Sequence, residues 1–271
     1  MNSQSPIPRI GTVSRRTVLE ALALGVAVVP QRGWTAQPTK IRAIAFDAFP
    51  IFDPRSVVAA ARGFFPEQGD RLAAVWSQKL FDYTWIDTAA GRYEDFEALA
   101  AEALRFAAQS LHLDLPAPVH QALVAKYSTL DIWPDVVPVL TRLKDAGIRM
   151  AFLSNMTEAM LRSNTRHAGL DRYFESPLST DRVRKYKPSP SAYAMAIAAF
   201  GLPKDAIGFA AFGGWDAVGA GWFGYRTAWI NRLGVPPERS ATVPAIVSGG
   251  LEGVLQLAGV QAIPAGRKAG G

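Results

Sequence analysis

The chain has 271 residues, of which 49% are apolar and 19% are charged, a globular composition that supports a sizeable core and excludes a disordered chain. The net charge of +6 does not indicate a nucleic-acid partner, because residues 41–266 carry 22 basic and 22 acidic side chains, and the excess lies in residues 1–40 and in Arg267 and Lys268. The absence of cysteine excludes disulfide bonds, thiolate catalysis and cysteine-ligated metals.

Residues 1–40 have the pattern of an export signal. Arg15 and Arg16 precede an apolar run from Leu19 to Val29, which is too short for a stable membrane span. The paired arginines resemble the twin-arginine type of signal, which exports folded proteins. We therefore predict a periplasmic protein. The alternative is a cytoplasmic protein with a disordered extension and a chance arginine pair.

The body of the chain opens with a predicted strand that ends in an acid. Residues 41–46 are mainly apolar and lead directly to Asp47. Residues 56–128 then lack strand signals and contain Ala- and Leu-rich stretches at helical spacing. This segment is predicted to be a helical cap inserted into the surrounding fold.

After the insertion, apolar strands alternate with helical segments. Three further strands are predicted, at residues 148–153, 207–211 and 227–230. This alternation predicts an α/β fold with a Rossmann-like, doubly wound parallel sheet covered by helices on both faces. We assign residues 41–55 and 129–245 to this core, and the Gly- and Ala-rich residues 246–271 to a C-terminal tail.

Polar residues follow the predicted strands at their carboxyl ends. Asp47 follows the first strand, Ser154 and Asn155 follow the second, and Asp216 lies just after the third. Because ligands bind at the carboxyl ends of strands in such sheets, we expect these residues to share one site. Lys187, which precedes a proline in a loop, completes an order of Asp, Ser, Lys and Asp along the chain.

This order resembles that of the haloacid dehalogenase superfamily. The resemblance runs from Ile41 to Arg232, and within the superfamily the type II (S)-2-haloacid dehalogenases are most similar. The segments Tyr-Thr-Trp at 83–85 and Trp-Ile-Asn-Arg at 229–232 are more specific than the four-part order itself. Similar proteins are often dimers, so the resemblance also allows a homodimer.

The resemblance implies a hydrolase that acts on carbon–halide bonds in short 2-haloacids. Asp47 would displace the halide from C2 to form an aspartyl ester, and water would then release the 2-hydroxy acid with inversion at C2. Lys187 would keep Asp47 ionised, and Asp216 would pair with Lys187 and help to place the water. The reaction would require neither a metal nor an organic cofactor.

The resemblance also implies a set of residues that bind the small-molecule substrate. Ser154 would bind its carboxylate together with backbone N–H groups, although helix capping is an alternative role. Asn155 would contact the departing halide. The other members match family positions in the pocket, although core packing is an alternative for the aromatic residues: Ala48, Phe49, Phe96, Tyr193 and Trp215.

Several functional positions differ from the family pattern. The nucleophile loop, at Pro50 and Ile51, is one residue shorter and lacks the family threonine. Ser77 stands where the family has an arginine that stabilises the halide. Ala211 and Gly213 stand where the family has Ser and Asn to support ester hydrolysis. Removal of one such electrostatic donor lowers an enzymatic rate by about 10²–10³-fold.

These differences leave alternatives open. Arg55, Lys79 or Arg92 is a candidate to replace the missing arginine in space. A second hypothesis is a catalytically impaired protein that binds small acids on the same scaffold. A third is a phosphatase of the same superfamily, which would need a second acid where this chain has Phe49, and commonly has paired acids at a Mg²⁺ site where this chain offers only Asp216.

Overall fold

Six parallel strands form the centre of the fold in the computed structural model, which describes residues 39–238 and 242–261. Their spatial order is β3-β2-β1-β4-β5-β6. The strands are β1 (Ala43–Phe46), β2 (Arg149–Ser154), β3 (Leu178–Ser179), β4 (Ile207–Ala211), β5 (Arg226–Ile230) and β6 (Ile246–Ser248). The predicted doubly wound α/β sheet is confirmed. Its chain order reverses at β1, between β2 and β4, where such sheets bind ligands.

Helices cover both faces of the sheet because successive side chains of a buried strand point to opposite faces. Ile44 and Phe46 pack into one hydrophobic cluster, whereas Ala43 and Ala45 pack into another. The first cluster includes α5, α6 and α9, and the second includes α7 and α8. The core helices are α5 (Val136–Asp145), α6 (Glu158–His167), α7 (Pro190–Phe200), α8 (Gly214–Phe223) and α9 (Glu252–Ala258).

The segment between β1 and α5 is helical, as predicted for the cap. Its two ends run side by side, since Asp53 N–H donates to the Asp131 carbonyl at 2.8 Å and Trp133 N–H donates to the Ile51 carbonyl at 3.2 Å. The chain therefore leaves the core and returns to it through paired connections. The cap helices are α1 (Arg55–Phe64), α2 (Gly69–Ala90), α3 (Phe96–Ser110) and α4 (Ala117–Ala125).

The cap is also tied to the loop that carries Lys187. The Tyr186 hydroxyl donates to the Glu94 carbonyl at 2.6 Å, and its ring stacks on Tyr93 with the centroids 5.2 Å apart. The Tyr93 hydroxyl in turn donates to Asp181 in the core. These contacts fix the end of α2 and the start of α3 against the core.

The residues after 245 differ from the predicted tail. Residues 246–248 form β6, which pairs with β5, and α9 follows it. This helix buries Val254, Leu255 and Leu257, so its apolar face completes the core beside β5. A three-residue strand next to Gly249 and Gly250 carries too little periodicity to be recognised in the sequence.

The predicted export signal at residues 1–40 lies almost wholly outside the described residues and stays a prediction, as does the homodimer. Within residues 39–238 and 242–261, no helix has the length and apolar character needed to cross a bilayer.

Candidate active site

Four chain segments bring the predicted catalytic residues together at the carboxyl edge of the sheet. Asp47 directly follows β1, and its N–H donates to the Ala210 carbonyl of β4 at 2.9 Å. Ser154 ends β2, and Lys187 lies in the loop before α7. Asp216 lies in the first turn of α8, where the helix dipole favours a negative charge.

Lys187 is the charged centre of the site. Its Nζ donates to Asp47 Oδ1 at 2.8 Å and to Asp216 Oδ2 at 2.6 Å. Lys187 and Asp216 are each 1% exposed, whereas Asp47 is 8% exposed and lines the cavity described below. One buried cation thus serves two carboxylates, of which only Asp47 is accessible from the cavity.

Burial and charge act in opposite directions on these groups. Burial alone would lower the pKa of Lys187, but the charges of Asp216 and Asp47 outweigh burial and raise that pKa. Burial raises the pKa of Asp216 to about 6, although Lys187 opposes this shift. The Tyr193 hydroxyl donates to Asp216 Oδ1 at 2.7 Å, and burial raises the pKa of this phenol, so Tyr193 remains a proton donor to the carboxylate.

We expect kcat/KM for substrate turnover to fall at acid pH with a midpoint near 6. Below that pH, Asp216 takes up a proton and no longer fixes Lys187 by its charge. The pKa of Asp216 is raised in the folded state, so its protonation favours the folded state, and this group makes the free energy of unfolding larger as pH falls from about 6 towards its unfolded-state pKa. The acid loss of activity should therefore occur without unfolding.

The test is a pH profile of kcat/KM measured beside urea unfolding at the same pH values, for the wild type and Asp216→Asn. Asp216→Asn should be slower and lack the limb near pH 6. An unchanged limb in Asp216→Asn would assign the titration to another group.

The short nucleophile loop is held by its backbone. Asp47 Oδ2 accepts a long hydrogen bond of 3.4 Å from Phe49 N–H. The Phe49 carbonyl accepts from Trp133 Nε1 at 3.0 Å, and the Pro50 carbonyl accepts from Arg232 Nη2 at 2.8 Å. Arg232 also pairs with Asp135 at 2.8 Å. Two side chains from outside the loop therefore fix its carbonyls, although the loop lacks the threonine of the family pattern.

Asn155 lines the cavity and has a side-chain donor that is not used within the described residues. Its Oδ1 accepts from Lys187 N–H at 3.0 Å, which fixes the orientation of the amide, and its Nδ2 is buried without a partner among the described residues. An unpaired buried N–H group costs free energy and indicates a place where a ligand can accept a hydrogen bond. Ser154 also lines the cavity, and its Oγ accepts from Met156 N–H at 3.2 Å.

A cavity of about 340 Å³ connects these groups with the cap. Its walls include the predicted residues Asp47, Phe49, Phe96, Ser154, Asn155, Lys187 and Trp215.

Three predicted site residues lie behind the cavity wall. Tyr193, predicted to line the pocket, is fully buried and contacts Asp216 instead. Ala48 is also fully buried, because it packs into the hydrophobic core, and its carbonyl accepts the N–H groups of Ile51 and Phe52 in the turn after β1. Asp216 does not line the cavity either, and it contacts Lys187.

Other residues at the cavity carry no sequence signal for this role. Phe212 and Leu233 line it, and Phe212 packs against Phe49 with the ring centroids 5.8 Å apart. Trp133 and Arg232 act one layer further back, through the carbonyls of the nucleophile loop. Arg232 lies in the family-like segment at 229–232, but that likeness does not reveal its contact.

The structure distinguishes the three candidate replacements for the missing arginine. Arg55 lines the cavity, with its guanidinium paired to Asp53 at 2.6 Å and stacked 4.4 Å above the Trp133 ring. Lys79 pairs with Asp82 at 3.1 Å, and neither it nor the exposed Arg92 lines the cavity. Arg55 is therefore the cation of the three that a ligand at Asp47 can approach.

A steric contact explains why position 213 is a glycine. A β-carbon there would lie 2.6 Å from Trp215 Nε1, so the present position of that ring excludes any larger residue. The change from the family asparagine is thus coupled to how Trp215 closes the cavity. Across residues 39–238 and 242–261, no group of three or more His, Asp or Glu side chains is arranged to hold a metal ion.

Comparisons with family models, with curated proteins and with solved structures all indicate the same family of hydrolases. A family model described as haloacid dehalogenase-like hydrolase matches residues 41–210. The (S)-2-haloacid dehalogenase of Pseudomonas sp. (strain YL) is 38% identical over 218 residues, covering 80% of this chain and 94% of that protein. The crystal structure of the L-2-haloacid dehalogenase RSc1362 superposes with a TM-score of 0.80 at 40% identity, covering 82% of this chain and all of that one.

A further solved structure contains a covalently bound ligand. The L-2-haloacid dehalogenase from Xanthobacter autotrophicus with chloropropionic acid covalently bound has a TM-score of 0.74 at 29% identity, covering 80% of this chain and 98% of that one.

Proposed function

Because this chain belongs to the haloacid dehalogenase-like hydrolases, we propose that it hydrolyses short (S)-2-haloacids to 2-hydroxy acids through an ester on Asp47. The observation that carries this proposal is the placement of Asp47. Its carboxylate faces the cavity while a buried lysine holds one of its oxygens at 2.8 Å. A nucleophile fixed in this way is restricted to one orientation, which lowers the entropic cost of the displacement.

The first step breaks the carbon–halide bond. Asp47 Oδ1 is engaged by Lys187, so the other oxygen, Oδ2, attacks C2 of the acid. The Oδ2–C2 bond forms as the halide leaves with its bonding electron pair from the opposite side, which inverts C2. The unpaired Nδ2 of Asn155 donates to the departing anion, and Arg55 supplies positive charge in the same cavity.

The second step releases the product. Water adds to the carboxyl carbon of Asp47, the bond from that carbon to Oδ2 breaks, and the 2-hydroxy acid leaves with Oδ2 as its hydroxyl oxygen. Halide and one proton are the other products. Lys187 is held beside the same carboxyl group by Asp216, so its positive charge stabilises the negative oxygen that develops when water adds.

The rival functions have less support. A phosphatase needs a second acid two residues after the nucleophile, where this chain has Phe49. A binding protein without turnover would not need the buried arrangement of Asp47, Lys187 and Asp216, which costs desolvation energy.

The proposed function is tested by incubating the purified full-length chain with each enantiomer of 2-chloropropionate, with and without EDTA. We expect free chloride and lactate in equal amounts from the S enantiomer, little from the R enantiomer, and no effect of EDTA. Release of no halide from chloro-, bromo- or fluoropropionate would reject the proposal for these acids and favour a binding protein.

A further inference from the structure

The cavity is larger than a short haloacid requires. A water-sized group takes up about 30 Å³, so 340 Å³ accommodates about eleven such groups. The non-hydrogen atoms of 2-chloropropionate number six. Roughly five group-sized positions therefore remain beside a bound three-carbon substrate.

Small side chains of α2 line part of the cavity. Ala73, Ala74 and Ser77 line the cavity, and their spacing of three and four residues places them on the same side of the helix. None of these side chains extends more than one atom beyond Cβ. Ser77, in particular, leaves open the space that the long arginine of the family pattern would occupy.

The surfaces around this volume are apolar. Val57 and Val58 of α1 line it from one side, and Leu80 and Phe81 of α2 continue the wall. Such a surface matches a hydrocarbon chain, because burial of apolar groups is the main favourable contribution at a site of this kind.

The two charged side chains at this part of the cavity each form an ion pair with a neighbouring residue. Asp70 pairs with Arg62 at 2.6 Å, and Arg55 pairs with Asp53 at 2.6 Å. A substrate with a second charge at its far end would have to displace one of these partners, whereas an uncharged chain would not.

We propose that the site accepts 2-haloacids with an unbranched alkyl chain of up to about eight carbons, with the chain lying between α1 and α2. This inference rests on the proposed function. The chain length follows from adding about five methylene groups to the three carbons of 2-chloropropionate. The reacting end stays at Asp47, and the tail occupies the space beside Ala74 and Ser77.

The test is kcat/KM of the full-length protein for (S)-2-bromoalkanoates from propionate to decanoate. Because Ala74 and Ser77 are exposed, the tail would be about half-buried, and each methylene should raise kcat/KM by about twofold. Hexanoate should therefore exceed propionate by roughly eightfold, and the rise should stop near octanoate. A decline from propionate onwards would overturn the inference and leave the proposed function intact. Inactivity towards every acid, propionate included, would count against the proposed function instead.

If the protein turns over none of these acids, the binding of reaction products still tests the inference. Calorimetric titration with 2-hydroxyoctanoate and with lactate should show at least tenfold tighter binding of the longer acid, whether or not the protein turns over. Equal affinities would overturn the inference.

Variants that fill the groove locate the alkyl chain. Ala74→Leu and Ser77→Leu should each lower the ratio of kcat/KM for octanoate to that for propionate by about tenfold or more. Ala59→Leu is the matched control, because Ala59 is an exposed alanine of α1 that does not line the cavity, and its ratio should not change. An unchanged ratio in the two groove variants, with melting temperatures like that of the wild type, would place the chain elsewhere.

Discussion

Asp47→Asn is expected to lower the rate of halide release by at least about 10⁴-fold. The neutral amide has nearly the shape of the carboxylate but is not a nucleophile, so the first step should fail while the substrate still binds. Lys187 keeps its contact with Asp216, so the fold should persist. The measurement is chloride release from (S)-2-chloropropionate, with intact mass to show that the asparagine has not deamidated.

The matched control is Asp145→Asn. Asp145 is an exposed acid at the end of α5, remote from the cavity lining, and its replacement should leave the rate within about twofold of the wild type. An Asp47→Asn protein of correct mass that keeps more than a tenth of the wild-type rate would contradict the assignment of Asp47 as the nucleophile.

Lys187→Met is expected to abolish activity and to lower the free energy of unfolding by about 3–5 kcal/mol. The substitution removes the cation that both Asp47 and Asp216 contact, so two buried carboxylates lie close together without a partner. Like charges at close range repel each other strongly in a medium of low polarity. Urea unfolding at pH 7.5 measures the loss. It should become smaller at pH 5, where Asp216, whose pKa burial raises to about 6, takes up a proton and the repulsion between the two carboxylates falls.

A second variant covers the case in which Lys187→Met does not fold. The double variant Lys187→Met with Asp216→Asn removes one of the two buried charges and should recover part of the lost stability but no activity. Lys185→Met, at an exposed position two residues earlier, is the control and should behave like the wild type. A Lys187→Met protein that is as stable as the wild type at pH 7.5 would show that the two carboxylates are not both charged in the folded state.

Much of this site could be predicted because its parts are local in sequence. An acid that ends an apolar strand, as Asp47 does, is recognisable from the chain alone, and so is the pair Ser154 and Asn155 after β2. The topology of a parallel sheet then requires that these strand ends meet. Both ends of helix α6 are also marked locally in the sequence, because Thr157 caps its start and Gly169 follows its end.

The parts that could not be predicted depend on tertiary contacts. Tyr193 matches a pocket position of the family, but only the packing of α7 against α8 shows that its hydroxyl is directed to the back of Asp216. The roles of Trp133 and Arg232 rest on single hydrogen bonds to loop carbonyls from distant segments. No periodicity or spacing encodes such contacts.

The changed positions acquire physical meaning only in the fold. Ser77 looks like the loss of a catalytic cation in the sequence, yet in the structure it also opens the apolar groove on α2 while Arg55 lines the same cavity from α1. The same substitution therefore bears on both leaving-group stabilisation and substrate size, and the chain-length series, in which the leaving group is always bromide, measures the second effect alone.

A single turnover in oxygen-18 water tests whether an oxygen of Asp47 becomes the hydroxyl oxygen of the product. With enzyme in excess over (S)-2-chloropropionate, we expect lactate without the heavy isotope, and one heavy oxygen on the peptide that contains Asp47. Lactate that carries oxygen-18 from the first turnover, with an unlabelled peptide, would mean that water attacks C2 directly and that Asp47 is not the nucleophile.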